Sequence, residues 1–129
     1  MAIMGYCDSD WDGSLDRHSI FGYCYVLNDK GPLISWRYSK QRIIALNSCE
    51  AEYMALAAAI QEEKFLRQLL ADIQGCTTSG VKLYADNLGA IALAKNPVHH
   101  QWKKHIDIKY HFICFAIEKG IVDLQYIPL

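Results

Sequence analysis

Two carboxylates stand two residues apart in Asn47-Ser48-Cys49-Glu50-Ala51-Glu52-Tyr53-Met54-Ala55, the start of the longest helical pattern in the chain. Two further acids, Asp8 and Asp86, follow short apolar runs that read as strands. Strand ends and helix starts are where an open α/β sheet places its ligands. If the strands that carry Asp8 and Asp86 are neighbours and Glu52 faces the sheet, the three carboxylates converge. Carboxylates held that close repel one another unless a cation neutralises them. Mg²⁺ does so with oxygen ligands while keeping several of its waters. Two such ions about 3.5–4 Å apart can grip a phosphodiester, one activating water and the other steadying the leaving oxygen. Spacing alone leaves a second reading open, because acids also serve as caps and turn residues, and Asp86 before a helix is a good N-cap in itself.

The elements that must position these acids follow from periodicity and punctuation. Residues 3–9 form a short apolar run ending in the acidic turn segment from Asp8 to Asp16. Residues 20–27, rich in aromatic and β-branched side chains, read as a second strand. Asn28-Asp29-Lys30-Gly31 is a tight turn, and Leu33 to Tyr38 a third strand, so the first three strands are expected to form an antiparallel meander. Asn47 or Ser48 can cap the long helix, with Glu50 at capping-box spacing from Asn47. Its apolar stripe is expected at Met54, Ala57, Ala58, Phe65, Leu66, Leu69 and Leu70, reaching about Asp72. Val81 to Ala85 is a fourth strand, and Asp86-Asn87 caps a brief helix over Leu88–Lys95. A polar link with Lys103, Lys104 and His105 leads to a helix at about Ile106–Glu118, which Gly120 ends. Residues 121–127 form a last strand. The order β-β-β-α-β-α-α-β specifies one mixed-sheet α/β domain over residues 1–129.

With 129 residues the chain can bury roughly two-thirds of its unfolded surface. A hydrophobic fraction of 52% and a net charge of −1 exclude an intrinsically disordered polyelectrolyte. No apolar run reaches the roughly 18 residues of a membrane span, and the first residues do not form a secretion signal. The five scattered cysteines include no C-x-x-C pair, so neither a zinc site nor a disulfide framework is expected. They read as small buried hydrophobes in an intracellular chain, cytoplasmic or nuclear. Trp11, Trp36 and the tyrosines of the second strand read as core and sheet packing. The single basic, aromatic cluster is His99-His100, Trp102, Lys103-Lys104 and His105. It is either a grip on nucleic-acid backbone or a solvated link. Asp107 and His111 share a helix face and read as a hydrogen-bonded or surface pair.

Longer motifs add to this. Gly5-Tyr6-Cys7-Asp8-Ser9-Asp10-Trp11, Phe21-Gly22-Tyr23, Ile34-Ser35-Trp36 and Ser39-Lys40-Gln41 resemble the ribonuclease H domain of copia-type LTR retrotransposons. So do Asn47 to Ala55, Leu83-Tyr84-Ala85-Asp86-Asn87-Leu88-Gly89-Ala90-Ile91-Ala92-Leu93-Ala94, and Lys104-His105-Ile106-Asp107-Ile108-Lys109-Tyr110-His111-Phe112-Ile113. The resemblance runs almost end to end, in the family's order and spacing. It implies a ribonuclease H-like fold, a five-stranded mixed sheet with helices on its faces. It also implies endonucleolytic cleavage of the RNA strand of an RNA–DNA hybrid with two Mg²⁺ or Mn²⁺ ions, leaving a 5′-phosphate and a 3′-hydroxyl. The implied partners are that hybrid and a reverse transcriptase domain of the parent polyprotein.

Position by position, Asp8, Glu52 and Asp86 match the family's catalytic, metal-holding acids. Asp10 ranks second for the first acid, and Glu50 is left as a capping residue. The implied nucleic-acid contacts are Ser48, Cys49 and Asn87, with Lys103 and Lys104 of the basic cluster. Two departures stand out. Cys49 replaces the family's usual Ser or Thr, and a thiol is a poorer donor. The family's fourth acid lies in a helix after the final strand, whereas this sequence ends at Leu129, and Asp123 is badly placed to replace it. Low or absent activity is the corresponding expectation, with an exposed apolar sheet face that favours self-association. The alternative function is a non-catalytic module of the same fold that binds nucleic acid or protein. A hydrolase acting on another substrate finds no supporting nucleophile–base pattern.

Overall fold

The computed structural model describes residues 3–10, 20–28, 30–40, 48–75, 80–86 and 104–127. The chain runs β1 (Ile3–Asp10), β2 (Ile20–Leu27), β3 (Leu33–Lys40), α1 (Ser48–Gln74), β4 (Val81–Ala85), α2 (Lys104–Glu118) and β5 (Val122–Tyr126). The five strands form one sheet in the order β3-β2-β1-β4-β5. β1, β2 and β3 are the expected antiparallel meander. β4 lies parallel to β1 and β5 parallel to β4. The element order and mixed sheet are those read from the sequence. β1 and β3 each run a little further, and α2 begins at Lys104 because nothing in Lys104-His105 breaks a helix. The expected helix over Leu88–Lys95 lies outside the described residues.

The side-chain alternation of β1 explains the core. Ile3, Gly5 and Cys7 face α1 and are buried, and the register sets them opposite Leu27, Tyr25 and Tyr23 of β2. Gly5 is required there by space. A Cβ on it would lie 2.8 Å from Tyr25 Cδ1 and 3.0 Å from Leu83 Cδ1. The room it leaves lets the Tyr25 ring lie flat in the core while its hydroxyl donates to the Ala59 carbonyl of α1. On α1 the buried face comprises Ala51 to Ala57, Ala59, Ile60, Glu63, Leu66 and Leu70. Phe65 and Leu69, expected in this stripe, are exposed instead. Each lies off the row that Leu56, Ile60, Glu63 and Leu66 direct at the sheet. Tyr53 meets Tyr110 edge-on, ring centroids 5.5 Å apart, and so fastens α1 to α2.

Both helices end on glycine in the left-handed conformation, Gly75 at φ 73° and Gly120 at φ 71°. After α2 the Gly120 amide donates to Ile117 and the Ile121 amide to Ala116, the paired bonds of a Schellman cap. β5 is one of the two edge strands and β3 the other. Ser35 Oγ donates to Glu62 Oε1 at 2.9 Å, tying this edge to α1. The Arg37 guanidinium lies over the Phe21 ring, 5.4 Å from its centroid. Trp36 is 69% exposed, so the expectation that it packs in the sheet is corrected. At an edge strand its face has no neighbour on one side. Trp11 lies outside the described residues. Cys7 is buried, but Cys24 and Cys114 are only half-buried, so burial describes one of these three thiols.

Candidate active site

The pairing of β1 with β4 builds the site. Cys7 stands beside Ala85 in the parallel register. The next residue in each segment is an aspartate, Asp8 on β1 and Asp86 just past β4, so the two emerge side by side at the same sheet end. Glu52, the fifth residue of α1, sits where the helix crosses β1. One oxygen from each of Asp8, Glu52 and Asp86 lies within 4.8 Å of the other two, and among the described residues this is the single group able to hold a metal ion. Asp8 is exposed, Asp86 half-buried and Glu52 buried, so the cluster grades from rim to floor. The three acids singled out from the sequence are therefore brought together.

The surroundings of Glu52 set its electrostatics. Burial is the main cause that pushes its carboxyl up, to about 7. Donation by the Ser9 hydroxyl opposes the rise, while the charges of Asp86 and Asp8 add to it. Among the described residues no cationic side chain acts on it. Ser9 Oγ donates to Glu52 Oε1 at 2.6 Å, and the Ser9 amide donates to Asp8 Oδ1 at 2.8 Å. Glu52 Oε2 is buried and has no hydrogen-bond partner among the described residues. Cys7 records the same negative field. Burial first, and then Glu52, Asp8 and Asp86, hold its thiol well above the usual range.

This donor set fits a hard divalent cation. Among the described residues it offers carboxylate oxygens only, lacks a neutralising cation, and leaves one buried oxygen unsatisfied. Beside Asp8 a groove of about 330 Å³ is lined by Tyr6, Ile20, Gly22, Cys24 and Tyr38.

Other sequence candidates are placed as follows. Asp10 ends β1 opposite Ile20, and its side chain is outside the described residues. Ser48, Cys49, Glu50, Lys104 and Asp107 lie in helices, with side chains likewise not described. Asn47, Asn87, Lys103 and the His99–Trp102 cluster lie outside the described residues. Asp123 pairs with Lys82, three rungs from Ala85 and the acid cluster, as expected. His111 is exposed, with its ring against Tyr110. Sequence reading passed over Ser9, although alternation along β1 sets it toward the helix that carries Glu52. It also passed over Glu63, a fully buried carboxylate on α1 whose two oxygens have no hydrogen-bond partner among the described residues. Its spacing of three from Ile60 and of seven from Leu56 and Leu70 was the available signal.

No family model matches the chain. The retrovirus-related Pol polyprotein from transposon RE1 of Arabidopsis thaliana is 34% identical over 98% of the chain, which spans 9% of that polyprotein. The corresponding polyprotein from transposon TNT 1-94 of Nicotiana tabacum is 37% identical over 86% of the chain and 8% of its own length. The chain thus spans less than a tenth of the length of these curated relatives. Among solved structures, the N-terminal RNase H domain of Rv2228c from Mycobacterium tuberculosis superposes with a TM-score of 0.66, at 12% identity, over 98% of this chain and 82% of that one. LC11-RNase H1 in complex with an RNA/DNA hybrid gives 0.62, at 16% identity, over 98% and 84%. The foamy viral protease-reverse transcriptase in complex with an RNA/DNA hybrid gives 0.68, at 12% identity, over 98% and 17%. At these identities the structural likeness is one of fold. Among the described residues no helix is long and apolar enough to cross a membrane.

Proposed function

We propose that this chain, a homologue of transposon Pol polyproteins with the fold of ribonuclease H domains, hydrolyses the RNA strand of RNA–DNA hybrids with divalent metal held by Asp8, Glu52 and Asp86. One observation carries the reading. Three carboxylates converge within 4.8 Å, and the most buried of them keeps an unsatisfied oxygen, an arrangement whose repulsion a cation relieves. The two-ion use of Mg²⁺, with Mn²⁺ as substitute, is part of this proposal. When bound, such ions lower the pKa of water and stabilise charge on the phosphoryl oxygens.

The chain's own residues supply position and protonation. Asp8 lies on β1 and Asp86 directly follows β4, just past the last paired rung, Cys7 beside Ala85, so both are held close to a strand end, a stiffer support than a loop. Glu52 projects from the second turn of a long helix and closes the floor. Burial leaves its carboxyl at about 7, so near neutral pH it can hold a proton, and a bound cation would favour the ionised form. In the overall hydrolysis the oxygen of water bonds to phosphorus and the bond from phosphorus to the 3′-oxygen breaks. The products are a 5′-phosphate and a 3′-hydroxyl. The exposed rim at Asp8 admits a large substrate, as a nucleic-acid duplex requires. A place beside reverse transcription in a Pol polyprotein is part of this proposal; the relatives named as retrovirus-related Pol polyproteins and the fold likeness to a protease-reverse transcriptase support it.

The test is cleavage of an end-labelled hybrid in Mg²⁺ by the unsubstituted chain and by Asp8→Asn, Glu52→Gln and Asp86→Asn. Metal-dependent cleavage lost in all three variants supports the reading. Undiminished cleavage by any of them removes that residue from the site. Hybrid binding without cleavage, by a chain that also binds no Mn²⁺, replaces the nuclease with a non-catalytic module.

A further inference from the structure

We propose that Ser9 is the positioning residue of the acid cluster, its hydroxyl fixing one oxygen of Glu52 so that the other is presented to a divalent cation shared with Asp8 and Asp86. The inference rests on the metal-site reading of those three acids. Adjacent residues of an extended strand point to opposite faces. Asp8 and Ser9 therefore divide the work of one dipeptide: Asp8 offers its carboxylate at the rim, and Ser9 turns toward α1. There its Oγ donates to Glu52 Oε1 at 2.6 Å, while its amide donates to Asp8 Oδ1 at 2.8 Å. One residue thus holds two of the three carboxylates.

Short O–H···O contacts of this kind are the strong, charge-assisted class once the acceptor is ionised. The Glu52 side chain has three rotatable bonds, and their freedom must be lost when it ligates an ion. With Oε1 tethered, the carboxylate plane is set before the ion arrives. Oε2 is left buried and without a partner among the described residues, so it is the oxygen available to ligate a cation. Partners that orient metal ligands typically account for a 10- to 100-fold change in metal affinity or activity.

The experiment is calorimetric titration of the full chain with MnCl₂ at fixed pH 8, alongside Ser9→Ala and Ser9→Thr, with thermal melts in chelator. Water-proton relaxation of the bound Mn²⁺ is recorded for each. Ser9→Ala should stay folded in chelator, with a lowered melting temperature from the lost hydrogen bond, and weaken Mn²⁺ binding by roughly 10-fold or more. It should also raise the relaxation per bound ion as water takes the place of Glu52. Ser9→Thr keeps the hydroxyl and should restore both values. Unchanged affinity and relaxation in Ser9→Ala overturn the assignment of Ser9 and leave the metal site standing. A folded Ser9→Thr that behaves as Ser9→Ala also overturns it, because the hydroxyl is then not the cause. No Mn²⁺ binding by the unsubstituted chain overturns the metal-site reading itself, and the role of Ser9 with it.

Discussion

At Glu52, burial and two neighbouring carboxylates act together against ionisation, and the Ser9 hydroxyl opposes them. The balance leaves the carboxyl at about 7. A cation that binds there must displace a proton, so the apparent affinity depends on pH. Below about 7 the affinity should fall by about tenfold per pH unit, and above it the affinity should level off. Mn²⁺ titrations from pH 5.5 to 8.5 check this, and a flat profile would place the bound ion away from Glu52. The side-chain types that make such a site were legible in the sequence, since Asp8, Glu52 and Asp86 sit beside recognisable strand ends and a helix start. Ser9 was not, because a serine in an acidic turn-like stretch looks like punctuation until the strand is seen to continue through it.

Among the elements, β1 carries the heaviest constraint, and Gly5 is its tightest point. Its missing side chain admits the Tyr25 ring, and Tyr25 in turn bonds the backbone of α1. Gly5→Ala would drive a methyl group into that ring. The expected cost is about 1–3 kcal/mol, the usual range for overpacking a core, read from denaturant unfolding of the variant. The same displacement of α1 should loosen the approach of Glu52 to Asp8 and weaken Mn²⁺ binding. A variant of unchanged stability would show that the ring can move aside freely. Element boundaries followed the sequence where local chemistry decides them. The left-handed Gly120 ends α2 as expected, and β2 spans the residues its composition indicated. The face of α1 was read less well. A stripe that included Phe65 and Leu69 overlooked Tyr53, Leu56, Ile60 and Glu63, because the alanine-rich segment blurs the helical period.

For the whole molecule, the buried carboxylates reverse the usual pH dependence of stability. Burial pushes Glu63 up to about 7, against the smaller opposing charges of Arg67 and Lys64. A folded pKa raised above the unfolded value of 4.5 contributes stability that is fully present below about 4.5 and lost as pH rises through about 7. Glu52 has the same sign in the metal-free chain. The melting temperature of that chain should therefore decline from pH 5 to pH 7.5. Glu63→Met removes one buried carboxyl at similar volume and should raise stability at pH 8 by about 1–3 kcal/mol while flattening the decline. Thermal unfolding of both chains across this range is the check, and equal or lower stability of Glu63→Met at pH 8 would mean that Glu63 is compensated. Divalent metal should remove the share due to Glu52, since it stabilises the ionised form.

By itself the sequence indicated the five strands and the two described helices, because period, turn chemistry and capping act over a few neighbouring residues, and it set Asp8, Glu52 and Asp86 at strand ends and a helix start. Its motifs also carried the resemblance to retrotransposon ribonuclease H domains, which the polyprotein homologues and the fold neighbours bear out. Only the tertiary structure decided that β4 lies against β1 with Cys7 beside Ala85, so that residues 78 positions apart become neighbours. Pairing between strands distant in the chain is chosen by how their faces bury against α1, and no local pattern encodes that choice. The same packing buried Glu52, turned Ser9 beneath it, and placed Glu63 in the core.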